Sequence, residues 1–191
     1  MMQQFIDNYY SAIYDCLKTI PVSDLEKLTS KLLEAYKKGA KIFIAGNGGS
    51  AATASHLACD LSKTVLGSEP TEKSRRLHVI GLSDNAAVLT AWANDEGYEH
   101  IFSEQLKNLA QAGDMLIVIS ASGNSPNIIR AVETARDLKM DTVGMLGFGG
   151  GKVKGLLDTA VIVDSYDYGY VEGVHSVLGH LVTSWLCKLI D

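Results

Sequence analysis

Two short segments rich in glycine, serine and asparagine each follow an apolar stretch typical of a buried strand. The first has the sequence GNGGSAA at 46–52, and its candidate binding residues are Asn47, Gly48, Gly49 and Ser50. Glycine lets the backbone pass close to a ligand, and the free N–H groups at the start of a following helix attract an anion. The segment lacks the Gly-Lys-Ser/Thr ending of a Walker A loop. It is interpreted either as an anion site or as a tight turn without a ligand.

The second segment has the sequence SASGNS at 120–125, and its candidate binding residues are Ser120, Ser122, Asn124 and Ser125. Ser125 precedes a proline and fits the cap of a helix, which would explain that serine without a ligand. A helix cap does not explain Ser120 and Ser122, whereas a phosphate could use all three hydroxyls. The two segments together therefore predict a site for phosphate or another anion.

Titratable side chains recur at helical spacing in two places. His56 and Asp60 are four residues apart, so they share one face of a helix and could bind a metal or relay a proton. A solvated surface pair is the alternative. Glu172 and His180, eight apart near the end of the chain, also share a side, while His175 is turned further away. Structural hydrogen bonds of buried groups are the alternative for this second set.

Two polar connections complete the list of candidates. Asn94 and Asp95 begin the phrase NDEGYE, which is interpreted as a helix connection or part of the site. Asp84 lies in the sequence Ser83-Asp84-Asn85 after a predicted strand. That triplet fits a helix cap, and it also falls at the edge of the sheet where ligands bind.

Apolar strands and helices alternate along the chain and must position these residues. The predicted strands are 41–45, 77–82, 114–120, 142–146 and 160–163, with a polar loop at 65–76. The predicted helices are 3–18, 23–39, 49–64, 84–94, 98–110, 125–137 and 170–190. Ser23 with Glu26 predicts a capping box, and Gly39 predicts the end of that helix.

This alternation indicates the α/β class, with a parallel sheet covered on both faces. We expect a doubly wound, five-stranded, flavodoxin-like sheet, in which ligands bind beyond the carboxyl ends of the strands. We expect a single domain over 1–191, with two leading helices in 1–39 and the α/β core in 40–191.

Composition excludes several classes of protein. The 191 residues carry a formal net charge of −5, which argues against broad nucleic-acid binding. No apolar run approaches the roughly 18 residues of a membrane span, and the first ten residues do not resemble a signal peptide. The three cysteines are far apart without a CxxC, which predicts reduced thiols and a cytoplasmic location. The glycines at 147–151 follow a late strand without the acidic partner of a dinucleotide site, so we expect no nucleotide cofactor.

Four ordered motifs resemble those of the sugar isomerase (SIS) family, most closely its phosphoheptose isomerases. They are GNGGSA followed by His56, ISASGNS at 119–125, NDEGYEHIF at 94–102, and VHSVLGH at 174–180. The resemblance runs over nearly the whole chain. It implies a homotetramer with sites at subunit interfaces. It also implies isomerisation of sedoheptulose 7-phosphate to D-glycero-D-manno-heptose 7-phosphate.

The resemblance also implies roles for individual residues. The serine loop, residues 120–125, would hold the phosphate through Ser120, Ser122 and Ser125, with Asn47 and Ser50 near the sugar. Asp60 and His180 would act as base and acid, and a zinc ion would sit among His56, Asp60, Glu172 and His180. Asp60 stands where the family has Glu, Glu172 where it has Gln, Ala121 where it has Thr, and Gly169 where it has Asp.

An aldose–ketose isomerase moves a proton between adjacent carbons through an enediol, so it needs a base, an acid and donors for the oxygens. The sequence predicts Asp60 as the base and His180 as the acid. Two alternatives stay open: an isomerase of another phosphosugar, and a non-catalytic, phosphosugar-binding or regulatory protein. The second resembles the replication-initiator-associating branch of the same family, which generally lacks the last histidine that is present here as His180.

Overall fold

A computed structural model of the chain describes residues 1–66 and 75–190. The five strands are β1 (Lys41–Gly46), β2 (His78–Gly81), β3 (Met115–Ser120), β4 (Asp141–Leu146) and β5 (Thr159–Ile162). The α-helices are α1 (Met2–Thr19), α2 (Val22–Lys38), α3 (Gly49–Lys63), α4 (Ala86–Asp95), α5 (Ser103–Leu109), α6 (Pro126–Asp137) and α7 (Tyr168–Ile190). Much of the predicted loop 65–76 lies outside the described residues.

The strands form one parallel sheet in the order β2-β1-β3-β4-β5, which is the flavodoxin-like order expected from the sequence. The register places Gly46 at the end of β1 opposite Ile119 of β3, and Ser120 opposite Leu146 of β4. The glycine-rich segment and the serine loop therefore leave the same edge of the sheet side by side.

Both faces of the sheet are covered, which explains why the strands are apolar without interruption. Successive side chains of a strand point to opposite faces. Accordingly, Ile42 and Ile44 of β1 join the core under α1, α2, α3 and α7, while Phe43 and Ala45 join the core under α5 and α6. All six residues of β3 are buried. No helix in the described part of the chain is long and apolar enough to cross a membrane.

The predicted helix ends are confirmed in part. Gly39 ends α2 in the left-handed conformation, with φ of 70°. Asn85 caps α4, because its Oδ1 accepts a hydrogen bond of 3.1 Å from the Val88 N–H. The capping box predicted at Ser23 is wrong: α2 starts at Val22 after Pro21, and its start has no side-chain cap. Proline's fixed φ already directs the chain into the helix, so Ser23 falls inside the first turn.

Candidate active site

The glycine-rich turn between β1 and α3 brings backbone close to backbone. A Cβ on Gly46 would run into the main chain of Ser50, so only glycine fits there. Gly48, with φ of 54°, turns the chain into α3. Gly49 and Ser50 open the helix, where N–H groups have no partner within the helix itself. This is the geometry that the sequence predicted for an anion site.

The serine loop follows β3 and is held by its own hydrogen bonds. Ser120 Oγ accepts from the Gly123 N–H at 3.2 Å, and Ser122 Oγ accepts from the Asn124 N–H at 3.3 Å. Ser125 occupies the cap position of α6 before Pro126, as predicted, but its side chain makes no cap bond. Its backbone carbonyl instead accepts the Ile128 N–H at 3.1 Å. The Ser125 hydroxyl is therefore not used by its own helix.

A third segment, 147–153 after β4, supports the serine loop from behind. Gly147 donates to the Ala121 carbonyl at 3.0 Å, and Val153 donates to the Gly123 carbonyl at 3.0 Å. The Lys152 N–H donates to Asn124 Oδ1 at 3.0 Å. From the sequence these glycines were weighed only as a nucleotide-binding motif, so this role was missed. The glycine run at 149–151 was the available signal for a close backbone approach.

The other polar candidates lie on the surface around this edge of the sheet. Asp84 is exposed and accepts a hydrogen bond from the Ser55 hydroxyl of α3. Asn94 and Asp95 are exposed at the end of α4, where the Asn94 amide donates to Asp95 at 2.7 Å. The Asp84 contact joins the connection after β2 to α3, and the contact between Asn94 and Asp95 stays within α4.

A compact His–Asp cluster lies between α3 and α7. Asp60 Oδ2 is 3.2 Å from His180 Nδ1 and 3.7 Å from His56 Nε2. The two imidazole rings meet edge to face with centroids 4.8 Å apart. The Asp60 side chain is only 16% exposed, whereas His56 and His180 are 56% and 60% exposed. Packing of α3 on α7 therefore brings together three of the four residues predicted as metal ligands.

These three residues fit a zinc ion. The three candidate ligand atoms lie within 4.8 Å of one another. Zinc bonds of about 2.0–2.2 Å in a tetrahedron place neighbouring ligand atoms about 3.4 Å apart, close to the 3.2 and 3.7 Å that separate Asp60 Oδ2 from the two histidine nitrogens. Two histidines and one carboxylate would leave a fourth position open, as catalytic zinc sites do.

Glu172 lies apart from this cluster. Its carboxylate packs against Gly49, so a side chain larger than hydrogen there would collide with it. A negative group is favourable at this place, because α3 starts there. The structure thus puts Glu172 beside the glycine-rich turn. Asp60 is three turns further along α3, roughly 16 Å along the helix axis.

His175 is a buried histidine on the core side of α7. It is 1% exposed, and neither ring nitrogen makes a regular hydrogen bond with the residues that the structure describes. Burial lowers the pKa of His175 to about 4, and the nearby Leu146 backbone opposes only part of that change. The structural hydrogen bond that was the alternative interpretation of His175 is therefore not formed within this part of the chain.

His175 should make the protein less stable in acid. In the unfolded chain its pKa is near 6.5, so between pH 6.5 and 4 the unfolded state binds a proton that the folded state rejects. This contribution to the free energy of unfolding is complete above pH 6.5 and falls by about 1.4 kcal/mol per pH unit below it.

Urea unfolding at several pH values should therefore show a smaller decline in the free energy of unfolding for His175→Gln than for the wild type. His78→Gln, at an exposed histidine, is the control. Parallel stability curves for wild type and His175→Gln would contradict the argument.

Together the fold and the site define a doubly wound α/β protein with polar, glycine-rich turns at the carboxyl edge of its sheet. The SIS domain family model matches residues 7–147 of the chain. A phosphoheptose isomerase of Pelobacter propionicus is 40% identical over 86% of this chain and 82% of its own length. One from Trichlorobacter lovleyi is 37% identical over 100% of this chain and 94% of its own.

A solved structure agrees with these sequence matches. The phosphoheptose isomerase of Neisseria gonorrhoeae superimposes with a TM-score of 0.88 at 28% identity, covering 98% of this chain and all of that one. The chain belongs to the SIS domain family, and the relatives named above are phosphoheptose isomerases.

Proposed function

We propose that this protein is an aldose–ketose isomerase that converts sedoheptulose 7-phosphate to D-glycero-D-manno-heptose 7-phosphate. The observation that carries the reaction type is the contact of 3.2 Å between Asp60 and His180, a base and an acid on two packed helices. The phosphoheptose isomerases to which the chain is similar supply the substrate.

The phosphate end of the substrate binds in the cup, the space between the glycine-rich turn (46–50) and the serine loop (120–125). Ser120, Ser122 and Ser125 bring hydroxyls, and Gly49 and Ser50 bring N–H groups at the positive end of α3. Phosphate binding there grips the substrate far from the reacting carbons, and that binding energy helps to hold the sugar in position.

Proton transfer belongs to the His–Asp cluster. Asp60 takes the proton from the carbon next to the carbonyl and returns it to the neighbouring carbon. His180, whose Nδ1 faces Asp60, has its Nε2 on the other edge of the ring, available to exchange a proton with the sugar oxygens. His56 contacts both residues and limits their movement.

The same cluster is the proposed zinc site, with His56, Asp60 and His180 as ligands. Zinc, when bound, would supply a Lewis acid that polarises a sugar oxygen. Glu172 was predicted as a fourth ligand, but its place beside Gly49 fits a role at the sugar or the cup better.

We propose a homotetramer in which each site combines two copies of the chain. Asp60 is roughly 16 Å along α3 from the turn that begins the helix. Eight bonds of about 1.5 Å join C1 of the heptose to phosphorus, a reach of at most about 12 Å. One substrate molecule therefore does not span the cup and the cluster of a single chain, whereas a neighbour's cup brought to the cluster would serve it.

Exposed apolar side chains support this assembly. Leu181 and Trp185 of α7 are 44% and 48% exposed, directly after His180, and Phe5 and Tyr10 of α1 are 64% and 69% exposed. Large apolar side chains grouped in this way mark protein contacts. The row on α7 continues from the His–Asp cluster, so a partner that covers it would also enclose His180.

Mixed tetramers test the shared site directly. Asp60→Asn and Ser122→Asp should each be inactive alone, because one lacks the base and the other repels phosphate. When the two chains are co-expressed, each site has an intact cluster in about half of the cases and an intact cup in about half. About a quarter of the sites should therefore combine both and be active. Light scattering checks the mass of four chains. No recovery in a properly assembled mixed tetramer would place each site within one chain.

The proposed reaction is tested by incubating the purified protein with sedoheptulose 7-phosphate, with and without added zinc, and following formation of the aldose heptose 7-phosphate. Turnover that needs both Asp60 and His180 supports the proposal. Turnover of a different phosphosugar in a parallel panel would correct the substrate. Phosphosugar binding without any turnover would favour the non-catalytic alternative.

A further inference from the structure

Asn47 and Asn127 join the two turns of the cup through a pair of amide hydrogen bonds. Asn47 Nδ2 donates to Asn127 Oδ1 at 2.9 Å, and Asn127 Nδ2 donates to Asn47 Oδ1 at 2.8 Å. Asn47 lies in the glycine-rich turn, and Asn127 is the second residue of α6, directly after the serine loop. The pair thus fixes the position of one turn relative to the other.

A second donor completes the surroundings of Asn47. The Tyr98 hydroxyl, on the connection between α4 and α5, donates to Asn47 Oδ1 at 3.1 Å. The two lone pairs of that oxygen are then both occupied. One of the two N–H bonds of Nδ2 is taken by Asn127, so the amide has one N–H left to offer. Asn47 can therefore only donate to a ligand.

Asn127 is well placed to impose this orientation. It is 1% exposed, and it follows Pro126, whose fixed φ sets the start of α6. Its side chain points inward to Asn47, which is itself only partly buried. Rotating either amide alone would face donor with donor, and rotating both together would reverse the hydrogen bond that Tyr98 makes to Asn47.

We propose that Asn127 is a positioning residue that orients the Asn47 amide so that its remaining N–H donates to the phosphate monoester of the substrate. The hydrogen bond from the exposed Tyr98 to Asn47 Oδ1 supports the same orientation. This inference rests on the proposed phosphosugar site and adds two residues to it, Asn127 and Tyr98. The preset amide excludes the reverse orientation, in which a carbonyl oxygen would face and repel the anion.

The experiment is a double-mutant cycle read by calorimetric binding of inorganic phosphate. Asn127→Leu and Asn47→Ala should each weaken phosphate binding about tenfold, and Tyr98→Phe about threefold. In the Asn47→Ala background, Asn127→Leu and Tyr98→Phe should each add less than about twofold, because they act through Asn47. In turnover assays KM should rise while kcat stays within about threefold. Tyr36→Phe and Asn108→Leu, at positions away from the cup, are the matched controls.

Additive losses in the cycle would overturn the proposal, as would equal losses in the two controls. If Asn127→Leu does not fold, Tyr98→Phe decides, since Tyr98 is 58% exposed and its substitution leaves the core intact. Unchanged phosphate affinity of Tyr98→Phe would then overturn it. Phosphate binding can be measured without turnover. A wild-type protein whose phosphate affinity depends on Asn47, Asn127 and Tyr98 as described, but which isomerises nothing, would refute the proposed reaction and support this inference.

Discussion

Asp60→Asn is expected to lower kcat for heptose phosphate isomerisation by about 10³-fold, with little change in phosphate affinity. The substitution keeps the shape of the side chain but removes the base, and acid–base groups contribute about 10²–10⁴-fold to such reactions. Asp60 lies between His56 and His180, so its loss also removes the negative charge that these rings face. Steady-state kinetics and phosphate calorimetry measure the two effects separately.

Two further variants show whether the carboxylate itself is responsible. Asp60→Glu keeps the charge on a longer side chain and should retain at least about tenfold more activity than Asp60→Asn. Asp137→Asn, at an exposed position on α6, makes the same chemical change elsewhere and should leave kcat unaltered. Zinc content measured on all three proteins reports whether the cluster still binds metal. An active Asp60→Asn protein would remove Asp60 from the reaction.

The sequence predicted the sheet well because each strand carries its own signal. The strands are buried on both faces, so they are apolar without alternation, and all of them except β4 are followed by an α-helix. The alternation of strands and helices indicated the strand order as well as the fold class, since β2-β1-β3-β4-β5 is a common order for a parallel sheet with helices on both faces. The start of α2 was missed because Pro21, not Ser23, sets the entry to the helix.

The candidate site was predictable where residues are close in the chain and less so where folding brings them together. His56 and Asp60 share a helix face by spacing alone, and the contact with His180 followed from family resemblance before the structure gave its distance. Glu172 shares a side of α7 with His180, but eight residues separate them by about 12 Å along the helix axis. The family resemblance, not the spacing, grouped Glu172 with the metal ligands, and this axial distance keeps it apart from them.

Contacts between loops left no comparable signal. In the sequence Asn127 is one residue of a predicted helix without any distinguishing pattern. Its pairing with Asn47 depends on the register of β1 and β3. Likewise, the glycines after β4 face the serine loop only because β3 and β4 are neighbours in the sheet. Such contacts between segments distant in sequence require the tertiary structure.

Gly123→Ala is expected to destabilise the protein by about 3 kcal/mol and to weaken phosphate binding about tenfold. Gly123 has φ of 61°, which costs a non-glycine residue about 1–2 kcal/mol. Its Cβ would also overlap the Gly150 carbonyl, and relieving such overpacking costs typically about 1–3 kcal/mol. Because that contact holds the serine loop against segment 147–153, its loss should displace the phosphate ligands too. Urea unfolding and phosphate calorimetry measure the two effects.

Gly39→Ala is the matched control, because it separates backbone conformation from the contact between loops. Gly39 has a similar φ of 70°, but nothing lies within 4 Å of an added Cβ. Its substitution should cost only about 1 kcal/mol and leave phosphate affinity unchanged. Equal destabilisation by the two substitutions would show that the support behind the serine loop adds nothing to stability. If Gly123→Ala also kept full phosphate affinity, the cup would owe its shape to the serine loop alone.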